Sequence, residues 1–283
     1  MMTSRQSRVL RQHVRTDALL GADAVPMGAM RAMGEPRRLD AGGEERGANS
    51  EEAKPRHVED STRRASAGLP AAGWGDAIDR PTRLRVLQAL DEGEVRPCVK
   101  CELCRGRTQT VFGEGDPEAR IMFVGEGPGQ TEDETGRPFV GRAGELLDKQ
   151  IAAMGLKREA VYIANVVKCR PPNNRPPTPM EVEACGGYLR RQIMTIRPEV
   201  IITLGGPATK KILNTMEGIT KLRGKWASYE GLAPEGPTVP VMPTFHPAFL
   251  LRAYTVENRQ RVWSDLQQVM AKLGLPAPER ASK

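Results

Sequence analysis

Residues 121–129 read IMFVGEGPG. Four apolar residues, Ile121 to Val124, run to strand length and stop at Gly125-Glu126-Gly127-Pro128-Gly129. A short apolar run closed by glycine and proline marks a buried strand that hands the chain to a turn. Outward from this strand the pattern alternates. Helical spacing over Ala143–Met154 precedes an apolar run at Val161–Val167, a helical stretch at Pro179–Ile196 and a second apolar run at Val200–Leu204. The Gly205-Gly206-Pro207 turn leads into a helix through Leu213, a strand is predicted at Val239–Met242, and Val256–Leu273 is the last helix. Strands alternating with helices predict the α/β class: a three-layer α/β/α sandwich around a mostly parallel central sheet. In such sheets the active site lies beyond the carboxyl ends of the strands. Three of those ends carry unusual chemistry and are expected to converge: the Gly125–Gly129 turn, Asn165, and His246-Pro247.

The first 80 of the 283 residues differ in kind. They mix Arg, Glu, Asp, Gly, Ala and Ser, with Trp74 as the one aromatic, and are expected to form a disordered N-terminal extension. Residues 81–92 (PTRLRVLQALDE) return to helical spacing and open the predicted folded domain, 81–276, with 277–283 as a tail. Forty-two Lys and Arg against 35 Asp and Glu give a net charge of +7, which suits a polyanionic partner but is a weak pointer alone. No apolar run nears the roughly 20 residues that cross a bilayer, so no membrane association is expected. The Arg-rich N-terminus lacks a secretory core, and Asp17, Asp23 and Glu35 argue against an organellar leader. The expectation is a cytoplasmic, nucleoid-associated monomer.

Five cysteines, three of them within seven residues and without an export signal, read as metal binding or redox chemistry rather than structural disulfides. Cys98-x-x-Cys101 is half of a metal site, and Cys169 and Cys185 add two thiols at the ends of a Pro-rich loop and the following helix start. Four thiolates suit zinc or an iron–sulfur cluster, and spacing does not choose between them. A redox dithiol is the other reading of Cys98 and Cys101, and Cys104 reads as a bystander. The glycine turn at 125–129 lacks the Gly-Lys-Ser/Thr ending of a phosphate loop. The acidic run Glu132-Asp133-Glu134 would repel a triphosphate, so no nucleotide cofactor is expected. Glu126 stands instead beside a loop whose amides can approach a small planar ligand; the plain alternative is a solvated turn carboxylate. Phe139, in Gly136-Arg137-Pro138-Phe139-Val140-Gly141, is either a core aromatic or a stacking platform for a base.

The strings FGEGDP, VGEGPG, EDETGRPFVGRAG, YIANVVKCRPPNNRPP and TFHPAFLLR, in this order from about Pro97 to about Leu273, resemble the type-4, iron–sulfur branch of the uracil-DNA glycosylase superfamily. That resemblance implies a [4Fe–4S] cluster on Cys98, Cys101, Cys169 and Cys185, and uracil-containing DNA, single- or double-stranded, as substrate. It implies a uracil pocket built from Glu126, Gly127, Phe139, Asn165 and His246, with Glu132 crowding the C5 position against thymine. Glu126 separates the chain from the type-5 branch, whose corresponding loop lacks the acid. Residues 170–178 (RPPNNRPPT) contain no histidine, so the covalent capture of a DNA-crosslinking branch is not expected.

On this basis the base flips out of the stack, Phe139 stacks on it, and the Asn165 amide accepts from uracil N3–H and donates to O4. Cytosine presents the reverse polarity and is refused. Glu126 handles water, and a neutral His246 donates to O2 of the departing base. Pro247, Phe249, Leu250 and Arg252 form a loop pressed into the minor groove, with Arg252 on phosphate; the alternative is a helix start packed in the core, an equal choice for Phe249. Two rival functions remain at this point. A non-catalytic iron–sulfur or zinc DNA-binding module leaves Glu126, Asn165 and His246 unused. A Cys₄ electron-transfer protein leaves Phe139 and the His-Pro turn unexplained.

Overall fold

The computed structural model describes residues 74, 76–231 and 236–276. The expected disorder of the N-terminal extension and the tail at 277–283 lie outside these residues, save for the extension's last few positions. There the folded part begins earlier than residue 81. Trp74 packs against the core under the Arg197 guanidinium, which sits 5.7 Å from its ring and donates to the Asp76 carbonyl at 2.7 Å.

The first helix, α1 (Arg80–Leu90), starts where the Asp79 carboxylate accepts the Thr82 N–H. The sheet strands are β1 (Glu114–Gly115), β2 (Ile121–Gly125), β3 (Tyr162–Asn165), β4 (Val200–Leu204), β5 (Ala227–Tyr229) and β6 (Val239–Thr244). Their order is β1-β3-β2-β4-β6-β5. The inner four are parallel, and the two short edges run antiparallel. Between them lie α2 (Gln130–Thr135), α3 (Arg142–Ala153), α4 (Pro179–Ile196), α5 (Gly206–Leu213) and α6 (Ile219–Leu222); α7 (Pro247–Arg252) and α8 (Val256–Leu273) follow β6.

Strand alternation sorts the core into two layers. Met122 and Val124 face α1, α4 and α5, whose Leu87, Leu189, Ile193 and Ile212 join one cluster. Ile121 and Phe123 face α3 and α8, whose Leu147, Ile151, Val262 and Leu266 join the other. A strand buried on both faces has no solvent-facing alternate, which is why β2 reads as an unbroken apolar run and β4 departs from one only at Thr203, whose hydroxyl pairs with Thr209. The three-layer α/β/α prediction therefore holds.

Differences from the sequence-based elements are local. The strand predicted at Val161–Val167 is β3, which ends at Asn165. Val166 and Val167 still donate to the Gly125 and Glu126 carbonyls, but the chain then turns away, with the Lys168 ammonium closing on the Asn165 carbonyl at 2.8 Å. Pro247–Arg252 is a helix rather than a loop, because Pro247 and Leu250 are drawn into the core.

Asp265 of α8 is fully buried and pairs with Arg223, whose Nε donates at 3.1 Å, while Thr244 Oγ1 donates at 2.6 Å. Burial pushes the Asp265 carboxyl up, and the Thr244 and Arg223 donors oppose that rise. The trio fastens the end of β6 to α8. Asp265→Ala would remove the buried carboxylate from a partly exposed guanidinium and leave Thr244 Oγ1 without its acceptor; it should cost about 3 kcal/mol, read as a lower urea midpoint with an unchanged slope.

Candidate active site

The carboxyl ends of β2, β3, β4 and β6 open on a cleft of about 750 Å³. Glu126, Gly127, Phe139, Asn165 and His246 all line it, so the three strand ends converge as expected.

Asn165 is the last residue of β3 and pairs in register with Gly125 of β2. Its side chain is 2% exposed, and Oδ1 has no hydrogen-bond partner. An unmet buried acceptor carries a desolvation cost that a ligand donor would remove. Gly125 is glycine by necessity: a Cβ there would meet Asn165 Oδ1 and the Phe139 ring.

Phe139 lies among buried residues but with backbone φ of +51°, a left-handed conformation unusual for an aromatic. Its ring stands 5.5 Å from the His246 ring, tilted by 31°. His246 caps α7: Nδ1 accepts the Ala248 N–H at 3.0 Å. Nε2 is then the protonated nitrogen of the neutral ring. Burial, aided by Arg252, lowers its pKa from 6.5 to about 4. The ring is thus a donor that does not titrate near neutrality. Glu126, half-buried, has no hydrogen-bond or ion-pair partner among the described residues, and burial alone raises its carboxyl above the ordinary 4.5.

Glu132 is committed to the backbone. Its Oε2 accepts the Gly129 N–H at 3.1 Å, and its Oε1 accepts the Val140 and Gly141 N–H groups at 2.9 Å each. It lines the cleft, but these bonds tie the 127–129 turn to the Phe139 loop. Of the four residues assigned to a DNA wedge, Leu250 is 1% exposed and Pro247 is also buried. Phe249 packs on Phe245 at 4.8 Å, which favours its core alternative. Leu250 therefore gives no wedge surface here, and the exposed residues of α7 are Leu251 and Arg252. Arg142 and Arg175 also reach the cleft. Single arginines on a basic chain carry no sequence signal that marks them as rim residues.

A second, much smaller cavity, about 10 Å³, is lined by Cys98, Cys101, Cys104, Cys169 and Cys185, together with Val167 and Lys168 of the 165–169 segment. The Arg107 guanidinium donates to Cys169 Sγ at 3.3 Å, and the Lys168 N–H to Cys185 Sγ at 3.3 Å. Burial pushes the Cys101 and Cys169 thiols up and takes Cys185 to about 11. Among the described residues no group of three or more His, Cys, Asp or Glu closes on a single ion. Lys168 is 1% exposed; its ammonium donates to Asn165 O and to Gln192 Oε1 at 2.6 Å, and burial lowers its pKa to about 8. No helix among the described residues is long and apolar enough to cross a membrane.

Residues 112–267 match the family model of the uracil DNA glycosylase superfamily. A type-4 uracil-DNA glycosylase of Thermotoga maritima is 47% identical over 188 residues, covering 66% of this chain and 94% of the relative. One from Archaeoglobus fulgidus is 44% identical over 198 residues, covering 68% and 97%. One from Sulfurisphaera tokodaii is 49% identical over 181 residues, covering 62% and 80%.

His246 is one of three histidines in the chain, so its titration can be followed by NMR. The ring should keep the Nε2–H tautomer at neutral pH and titrate near about 4 rather than 6.5. The unfolded chain binds this proton near 6.5 and the folded chain resists it to about 4. The ring's share of stability is therefore whole above 6.5 and declines as pH falls through that window. A midpoint near 6.5 in the folded protein would show an open, solvated ring.

Proposed function

The chain belongs to the type-4 branch of the uracil-DNA glycosylase superfamily, and on that premise we propose that it excises uracil from DNA, hydrolysing the N-glycosidic bond of deoxyuridine and leaving an abasic site. The observation that carries this reading is the unpartnered, buried Asn165 Oδ1 in the cleft wall. Uracil offers N3–H to such an acceptor; cytosine offers a lone pair at N3 and leaves it unpaired, which a buried acceptor penalises.

The remaining groups fit bond cleavage. The C1′–N1 bond breaks with its electron pair moving to the base, and a water oxygen bonds to C1′. Negative charge develops on uracil N1 and O2, where the His246 Nε2–H is the donor. With a pKa of about 4 the ring is neutral, so it stabilises the leaving anion as a hydrogen-bond donor rather than as an acid. Positive charge develops on the sugar, beside which the unpaired Glu126 carboxylate positions the water and takes its proton. Phe139 offers its ring to the flipped base. Arg252 and Arg142, both exposed at the rim, are placed for phosphate. Action as a monomer, on DNA in the nucleoid, is part of the same proposal.

The cysteine cavity fits a [4Fe–4S] cluster. Cys98, Cys101, Cys169 and Cys185 would hold it, and the N–H donors on Cys169 and Cys185 suit thiolate ligands. A zinc ion draws four sulfurs to about 2.3 Å of one point, whereas among the described residues no three of these thiols close on one ion. When bound, the cluster supplies a rigid four-point cross-link between the 98–101 segment, the end of the 165–169 turn and α4. Thr178 and Glu181 cap α4 reciprocally at 3.3 and 2.7 Å, and Arg175 grips the Glu181 carboxylate, holding it down at about 2. That fixes the approach to Cys185.

Two measurements test this reading. Single-turnover excision from uracil-containing DNA should fall by roughly 10²-fold or more in Glu126→Ala and in His246→Ala, with DNA affinity and iron content retained. The wild-type rate should fall on the acid side through a carboxylate pKa above 4.5 that belongs to Glu126. Wild-type rates in both variants would leave the DNA-binding module as the better account. For the cavity, protein purified without oxygen should carry about four irons and absorb broadly near roughly 400 nm. Cys→Ser at 98, 101, 169 or 185 should lose iron while Cys104→Ser keeps it. Stoichiometric zinc without iron would overturn the cluster.

A further inference from the structure

The left-handed backbone at Phe139 costs on the order of 1–3 kcal/mol and persists only where surroundings enforce it. The enforcing groups are on the page. On the amide side, Glu132 takes the Val140 and Gly141 N–H groups. On the carbonyl side, Arg158 donates Nη2 to Pro138 O at 2.5 Å and Nη1 to Phe139 O at 3.1 Å. Arg158 is itself immobilised, with a side chain 14% exposed. Its Nε donates to Glu114 Oε1 at 2.8 Å and its Nη1 to Asp148 Oδ1 at 2.6 Å. Glu114 also accepts from Arg137 at 2.8 and 3.0 Å, so one carboxylate holds both the loop's own arginine and the clamp. Gly144 completes the arrangement, because any Cβ there would strike the Phe139 carbonyl.

We propose that Arg158 is a positioning residue for uracil excision: its planar guanidinium holds the Pro138 and Phe139 carbonyls and so sets the angle at which the Phe139 ring meets the flipped base. This rests on the stacking role given to Phe139 above. Arg158 never reaches the cleft and acts only through the loop. Only a guanidinium serves, because the two carbonyls and two carboxylates need donors spread in one plane, which an ammonium lacks.

The test is a double-mutant cycle on the iron-loaded protein, read as single-turnover excision at saturating enzyme. Arg158→Lys keeps a charge between Glu114 and Asp148 but cannot span both carbonyls. It should keep the unfolding midpoint within a few degrees and the iron absorbance, yet slow excision by roughly 10-fold or more, as misplacement of a reacting partner does. Arg158→Met should slow it at least as much. In a Phe139→Leu background the same Arg158 changes should cost less than about 3-fold, because residues acting as one unit are not additive. Full, additive losses in that background would overturn the proposal while leaving Phe139 as the platform. So would Arg158→Lys at the wild-type rate. A Phe139→Leu enzyme as fast as wild type would instead remove the stacking role, and the Arg158 proposal with it.

Discussion

The site depends on a contact that admits no side chain. β2 ends at Gly125, level with Asn165 on the neighbouring strand, and the space where a Cβ would stand is filled by the Asn165 amide oxygen and the Phe139 ring. Hydrogen bonding between parallel strands sets the register, and the missing side chain lets amide and aromatic approach each other. Van der Waals exclusion thus decides which groups can face a ligand together. The glycines at 127 and 144 repeat the device, letting Val167 and the Phe139 carbonyl come close to backbone.

That logic explains what the sequence revealed. Buried parallel strands have to be apolar on both faces, so β2 and β4 announce themselves, and glycine beyond a strand end is conspicuous. The cysteines and the His-Pro turn are equally visible because their chemistry is rare. Other features leave no local mark. β1 is two residues and β5 three, too short for any period. α2 (QTEDET) has no apolar stripe; its buried residue is Asp133, whose carboxylate accepts the Thr108 N–H. At Pro247–Arg252 a packed helix start and a loop compete in the sequence, because six residues cannot establish a helical repeat. Arg158 looks like any surface arginine, since its partners lie 10 to 44 positions away and meet only in the fold.

The two cavities share one short piece of chain. Between Asn165 in the cleft and Cys169 in the cysteine cavity stand three residues, and Lys168 touches both sides. Its ammonium holds the Asn165 carbonyl, and its backbone N–H meets Cys185 Sγ. A buried ammonium requires anionic company or strong acceptors. Here the acceptors are the Asn165 carbonyl and Gln192, with the Cys185 sulfur close to the same residue. Gln192 is in turn fixed by donating to Phe112 O at 2.9 Å. The turn that presents the Asn165 amide to the cleft is therefore built into the wall of the cysteine cavity.

Burial acts in opposite senses on the groups of the cleft, and the difference suits the reaction. It strips the proton from an imidazolium and leaves a neutral donor, so His246 can stabilise an anion without neutralising it. It raises the Glu126 carboxyl, strengthening its pull on a proton from water. It leaves Asn165 Oδ1 without a hydrogen-bond partner among the described residues, so that a ligand donor would relieve a buried acceptor. None of these effects needs motion at the moment of bond cleavage; the cost of desolvating each group was met when the chain folded. Two parallel strand ends, a strained aromatic and a capped histidine are thus held by folding free energy in the arrangement that the separating charges require.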